Sequence, residues 1–381
     1  MATNRHEYYL NCEKVQNSEN TQNTFLELVK AGLWGGQRPV QEFKVQEFKD
    51  VDWGEVYRLA EEQSVIGLVS AGIDWFKVHD SRFTVPQEWA LQFVGQTLQI
   101  EQRNKAMNQF VAELVEKMRA EDIYTLLVKG QGVAQCYKRP LWRPSGDVDF
   151  LLSEDNYAKA KALLLPLSSS HKNEERYSQH LGMSIGQWYV EIHGSLRTGL
   201  SARVDREVDK VVLDSLNMVN GEFGEGARVW KNGTTDVYLP EPTNDVFLVF
   251  THFIKHFYKE GMSLRQVCDW CRLLWTYKES LDYGKLESWI RKSGLMEEWK
   301  TFASLAVDYL GMQEQSMPLY DAGFTVKGSR LIDFILGGYL GNKVKDTLRI
   351  AKIFPWKALR YSPSIFLNVN WLKVKERFFN S

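Results

Sequence analysis

The sequence predicts an α+β protein, a small mixed-sheet unit set between helical regions, on three observations. Apolar residues recur at helical spacing through the first 120 residues. Near Ile123 the pattern switches to β-prone runs alternating with shorter helical ones. From Pro242 onward capped helical patterns return. These changes set the expected boundaries: a helical region over 1–120, an α/β unit over 121–240, a second helical region over 241–325, and a basic, aromatic tail over 326–381. A chain of 381 residues is also too long for one ordinary core, and roughly two or three domains are expected at that length.

In the first region, Phe25, Leu26, Leu28 and Val29 predict a helix over Thr24–Trp34 that the Gly35-Gly36 pair stops. Val56, Leu59, Ile66, Leu68 and Val69 predict a second over Val51–Phe76. A third starts after Pro86 and reaches Ala120, with Gly95 as its natural break; at 1.5 Å per residue it would be about 50 Å long. This region reads as packing scaffold.

In the α/β unit, strands are expected at Ile123–Val128 and Asp147–Leu152, with a short helix over Gln131–Tyr137 between them. Ser153 caps a helix over Glu154–Leu165 that Pro166 closes. Gln179–Ile185 and Trp188–His193 form a hairpin about Gly186-Gln187. A polar helix over Arg203–Leu216, a Gly-rich turn region over Gly221–Gly233 and a short strand over Asp236–Leu239 complete it.

The chemistry concentrates in Gly146-Asp147-Val148-Asp149-Phe150. Carboxylates two apart in a strand share one face. Their repulsion calls for a cation between them, and Mg²⁺ prefers carboxylate oxygens. On the later strand, Trp188, Val190 and Ile192 make an apolar face, while Tyr189, Glu191 and His193 share the other. With both polar faces in one cleft, Glu191 becomes a third carboxylate, and three on rigid strands suit one or two Mg²⁺ ions that hold a triphosphate. Lys129 and Arg143 are the nearest cations to offset phosphate charge, against the alternative of surface ion pairs. His193 is either a substrate-side residue or a hydrogen-bonding neighbour of a carboxylate.

Lys129-Gly130 after an apolar strand, Tyr137, Arg143, Gly146-Asp147-Val148-Asp149, Glu191 on a later strand, and then His252, His256 and Leu264-Arg265-Gln266-Val267-Cys268-Asp269 resemble a bacterial family of uncharacterised nucleotidyltransferases within the polymerase-beta-type superfamily. The resemblance covers about Val51–Tyr277. It implies that Asp147, Asp149 and Glu191 bind the metal ions and carry catalysis, and that the turn at Gly130 approaches the phosphates. Glu191 would hold the metal that activates the acceptor and also take its proton. Two departures stand out. Gln131 follows Gly130 where the superfamily has Gly or Ser, and the gap from the turn to Asp147 is longer than usual.

Pro242-Thr243 opens a helix to about Tyr258, with Thr243 as cap, and Ser263-x-x-Gln266 is a capping box for the next, to Tyr277. His252 and His256 lie one turn apart on the first; Arg265, Asp269 and Arg272 share a face of the second. Either these helices cover the nucleotide, with His256 and Arg265 at phosphate, or an Arg265–Asp269 ion pair locks them together. Cys268 and Cys271, with no second pair at zinc-ribbon spacing, read as packed core thiols. Helices continue over Tyr283–Leu310, and an apolar segment covers Leu331–Leu340.

The last 41 residues hold nine Lys or Arg against two acids, interleaved with Phe354, Trp356, Tyr361, Phe366, Trp371, Phe378 and Phe379. This suits a tail whose aromatics dock on the helical domain, or else a peripheral membrane or polysaccharide-pathway contact. Lys+Arg 47 against Asp+Glu 48 give no nucleic-acid signal. Four cysteines in a chain of this size, a polar start and no run of about 18 apolar residues point to a cytoplasmic protein. The expected activity is Mg²⁺-dependent transfer of a nucleoside monophosphate from an NTP, ATP by default, to an unidentified acceptor. The rival readings are a catalytically silent scaffold of the same fold and a toxin-like enzyme that nucleotidylates protein or RNA.

Overall fold

The computed structural model describes residues 19–36, 51–175, 179–219, 222–223, 227–338 and 340–361. The described residues divide into two compact units, one made of those up to 107 with 137–145 and 309–311, the other of those within 108–136, within 146–308 and from 312 onward.

The first unit is helical. It contains α1 (residues 19–34), α2 (Trp53–Glu62), α3 (Ile66–His79) and most of α4 (Gln87–Arg119). The single helix expected over Val51–Phe76 is two, because the chain turns at Ser64 with φ of 55°, a conformation that ends a right-handed helix. Conversely α4 is unbroken through Gly95, which has open space where a side chain would stand. Gly32 and Gly72 let α1 and α3 touch backbone to backbone. A Cβ on either would lie 2.0 Å from a carbonyl oxygen, that of Leu68 or Leu28. Phe25, Leu28, Trp34, Val56, Val69 and Phe76 fill the core.

The second unit carries a seven-stranded mixed sheet. Its strands are β1 (Leu126–Val128), β2 (Asp147–Leu151), β3 (Ser170–His171), β4 (His180–Ile185), β5 (Trp188–His193), β8 (Arg228–Asn232) and β9 (Thr235–Leu239), in the order β3-β4-β5-β2-β1-β9-β8. A separate two-stranded ribbon pairs β6 (Met218–Val219) with β7 (Glu222–Phe223). Only β2 with β5 and β1 with β9 run parallel; the remaining neighbours in the seven-stranded sheet are antiparallel. Strand β8 lies in the segment expected to be a Gly-rich turn region. Its alternation of half-buried and exposed residues leaves no continuous apolar run to mark it.

Helices α5 (Gly130–Ala134), α6 (Glu154–Leu164) and α7 (Ala202–Ser215) connect the strands. Then follow α8 (Pro242–Lys259), α9 (Leu264–Tyr277), α10 (Tyr283–Ser293), α11 (Met296–Asp308), α12 (Thr325–Leu336), α13 (Lys343–Ala351) and α14 (Pro355–Tyr361). The cap of α8 is Glu241 and not Thr243: its carboxylate accepts from the Asn244 amide and Pro242 takes the first helical position, where a missing N–H costs nothing. The capping box at Ser263 and Gln266 forms as read. Helix α8 is buried along most of its length, and its Phe250, Phe253 and Phe257 pack with Trp270, Trp299 and Phe302.

The basic, aromatic end of the described chain is helical and docked in part. Phe354 packs on Phe257, and Tyr361 on Tyr258, with ring centroids 5.8 and 4.8 Å apart. Trp356 is 81% exposed; Phe366, Trp371, Phe378 and Phe379 lie outside the described residues. No described helix is long and apolar enough to cross a membrane.

One charge pair fastens α14. Lys357 Nζ lies 2.8 and 2.9 Å from the two carboxylate oxygens of Glu298, a residue with no exposed surface, and donates also to Gly294 O. Breaking a buried pair strands the remaining charge, at a cost of about 3 kcal/mol. Lys357→Met is therefore expected to lower unfolding stability by about 3 kcal/mol in urea titrations, and Lys357→Met with Glu298→Gln to recover most of the loss.

Candidate metal and nucleotide site

The site is built by strand register. Because β2 and β5 pair in parallel with Asp149 opposite Glu191, alternation puts Asp147, Asp149, Tyr189, Glu191 and His193 on one face. Val148, Phe150, Val190 and Ile192 are buried on the other. One ligand oxygen from each of Asp147, Asp149 and Glu191 falls within 4.8 Å of the others. The sequence reading and the geometry thus bring the same three carboxylates together.

Lys129 ends β1 and turns the chain into α5. Its φ of 60° and ψ of −146° lie near a region that is almost exclusive to glycine, where other residues cost about 1–3 kcal/mol. Gly130 follows, also at positive φ (38°). That geometry directs Lys129 Nζ to within 2.9 Å of Asp149 Oδ1. The same oxygen lies 2.9 Å from His193 Nε2.

The electrostatics follow from this crowding. Burial pushes the Asp149 carboxyl up, but the Lys129 ammonium and the His193 hydrogen bond outweigh it and hold it below the usual range. Asp147 is raised, first by the negative charge of Asp149 and then by burial. Glu191, despite burial, is held well below its ordinary value by His180 and His193. Lys129 is raised, since the surrounding carboxylates outweigh its burial. The three carboxylates have one ammonium, Lys129, and two imidazoles, His180 and His193, in contact with them, and their oxygen donors match a hard divalent cation. Asp147, the member whose charge is least favoured, is the one an added cation would relieve most.

The other expected residues are distributed. Arg265, in the first turn of α9, is near enough that its charge lowers Asp147. His256 is engaged on both nitrogens, with His252 Nε2 3.0 Å from its Nε2 and Glu260 Oε2 2.9 Å from its Nδ1. Its hydrogen bond is the chief reason that Glu260 is pushed down to about 2. Arg143 lies buried in the first unit, where its guanidinium donates to Ser145 Oγ and Pro144 O. Cys268 and Cys271 are buried free thiols that burial pushes far from ionisation.

Two histidines gain a place that spacing alone did not give them. Burial first, and then the positive charge of Lys129, holds His252 on α8 well below its ordinary value, so it is neutral at pH 7. His180 stands directly opposite His193 in the β4–β5 hairpin, with its Nε2 3.2 Å from Glu191 Oε2. A two-residue turn at Gly186-Gln187 pairs 185 with 188 and hence 180 with 193, so the hairpin register held that signal.

Asp147 supplies a test. A carboxyl whose folded-state pKa lies above its unfolded one burdens the fold when ionised. That burden is absent below the unfolded pKa and complete above the folded one. At pH 7 and without metal, Asp147→Asn is therefore expected to raise the melting temperature. The same variant should show a reduced Mg²⁺-induced stabilisation in the same thermal melts.

Comparisons with curated proteins and with solved structures find no significant match. A family model described as uncharacterised nucleotidyltransferase matches residues 49–311, which include every residue of the site. The chain belongs to that nucleotidyltransferase family.

Proposed function

We propose that the protein is a Mg²⁺-dependent nucleotidyltransferase that moves a nucleoside monophosphate from an NTP to an acceptor hydroxyl or phosphate. The observation that carries the reading is the convergence of the three carboxylates of Asp147, Asp149 and Glu191 on one sheet face, with ligand oxygens within 4.8 Å of one another. In this reading an acceptor oxygen attacks the α-phosphorus, the bond from that phosphorus to the α,β-bridging oxygen breaks, and pyrophosphate leaves. Bound Mg²⁺ would neutralise the triphosphate and lower the pKa of the acceptor hydroxyl.

The chain's own residues divide the remaining work. Asp147 and Asp149 hold the metal edge of the site, and Lys129 and Arg265 offset phosphate charge. Glu191 would hold metal, its negative charge kept by His180 and His193. The acceptor's proton would go to His252, whose imidazole is neutral at pH 7. If Glu260 accepts from His256 Nδ1–H, then His256 Nε2 accepts from His252 Nε2–H, and His252 Nδ1 is left with a lone pair. His256 therefore acts as a positioning residue behind His252. ATP is the default donor. Most of the rate would come from positioning and charge neutralisation.

Calorimetric titration of each NTP, with and without Mg²⁺, separates this reading from a silent scaffold. The wild type is expected to bind at least one NTP only with Mg²⁺, and the Asp147→Asn, Asp149→Asn double variant to lose at least about tenfold in affinity, or 1.4 kcal/mol. Absence of Mg²⁺-dependent binding in the folded wild type would refute the proposal.

A further inference from the structure

Beyond the three carboxylates, a second constellation stands on the same face: His180 Nε2, Glu191 Oε2 and His193 Nε2, whose ligand atoms also lie within 4.8 Å of one another. Its geometry is set by the hairpin. His180 and His193 are paired directly across β4 and β5, and their rings stack with centroids 4.6 Å apart and planes within 8°; because an imidazole lone pair lies in the ring plane, one of the two rings must turn about its Cβ–Cγ bond for both to meet one ion. Both Nε2 atoms approach one oxygen, Glu191 Oε2, at 3.2 and 3.5 Å. Ligand atoms about 2.1 Å from a tetrahedral zinc stand about 3.4 Å apart, which is the spacing found on both sides of Glu191.

The donor chemistry differs from that of the neighbouring carboxylates. Magnesium takes oxygen ligands in an octahedron, whereas imidazole nitrogen favours zinc and the later transition metals. A second observation points the same way. His180 Nε2 is shut off from solvent and faces Glu191 at 3.2 Å in an ion-pair contact whose angle does not make a hydrogen bond, and a metal ion between them would engage both.

We infer that His180, Glu191 and His193 form a second metal position, selective for a transition metal such as zinc, with Glu191 shared between it and the Asp147–Asp149 position. On binding, His193 Nε2 exchanges its contact with Asp149 for the metal, and Lys129 remains as the partner of Asp149. The site would then hold two unlike cations, a hard one at the two aspartates and a borderline one at the histidines. The inference shares Glu191 with the transferase reading but does not require nucleotide to bind.

The test uses the full chain stripped with a chelator. Zinc affinity is read by competition with a chromophoric chelator, and coordination by the visible absorption of Co²⁺ in place of zinc. The wild type is expected to bind one zinc per chain and to give the intense spectrum of a tetrahedral cobalt site. His180→Ala and His180→Gln should each bind zinc roughly 100-fold or more weakly, beyond most of the 10–100-fold that a lost outer-shell partner costs. Asp147→Asn should keep zinc affinity within a few-fold while weakening Mg²⁺-NTP binding. Circular dichroism on each variant checks that it is folded, and His180→Gln serves if His180→Ala is not. Equal zinc affinity in the wild type and a folded His180 variant, or no zinc bound by the folded wild type, would overturn the inference. Mg²⁺-NTP binding by the wild type reports on the transferase reading separately.

Discussion

The arrangement around the site depends on one constraint, that three carboxylates are held closer than their charges favour. The sheet imposes this. Parallel pairing of β2 with β5 puts Glu191 beside Asp149, and the apolar faces of both strands are too deeply buried for either to slip by one residue. The repulsion is then managed locally. Lys129 and His193 share one oxygen of Asp149, His180 and His193 attend Glu191, and Asp147 is left as the group with a raised pKa. Stability is given up at a position where a ligand can return it, a common relation between strain and function.

The elements next to the site carry the same trade. Lys129 occupies a backbone conformation suited to glycine, and what it gains there is direct contact with a buried carboxylate. Helix α8 is mostly apolar and buried, yet it carries His252 and His256 one turn apart, with Glu260 just past its end. An aromatic cluster of Phe250, Phe253, Trp270 and Trp299 holds that helix. A polar chain placed on so rigid a support keeps its geometry. The Lys357–Glu298 pair fastens the C-terminal helix to this same helical layer.

Much of this was legible in the sequence because its causes are local. Asp147 and Asp149 declare a shared face by period two, Ser153 and the Ser263–Gln266 pair mark helix starts, and Gly186-Gln187 marks a hairpin. What was not legible depends on distant partners or on backbone detail. Strand β8 carries no run of apolar residues and is fixed by pairing with β9. The break at Ser64 is a single left-handed residue within an otherwise continuous apolar pattern. His252 acquires meaning only through its closeness to Lys129, whereas His180 was readable from the hairpin register that sets it against His193. Arg143, expected at phosphate by its closeness in sequence to Asp147, has a guanidinium that donates to Ser145 Oγ and Pro144 O, contacts that sequence spacing does not reveal. Of the aromatics in the tail, Phe354 and Tyr361 pack while Trp356 stays in solvent, a division that composition does not contain.

The central claim is that the site transfers the nucleoside monophosphate part of an NTP. It is tested most directly by following label from the α-phosphate and, in parallel, from the γ-phosphate of the NTP when the protein acts on fractionated cell extract with Mg²⁺. The account requires α-label to pass to an acceptor and γ-label to leave as pyrophosphate, with both lost when Asp149 is replaced by Asn. Transfer of γ-label to an acceptor, or α-label transfer that survives Asp149→Asn, would contradict it.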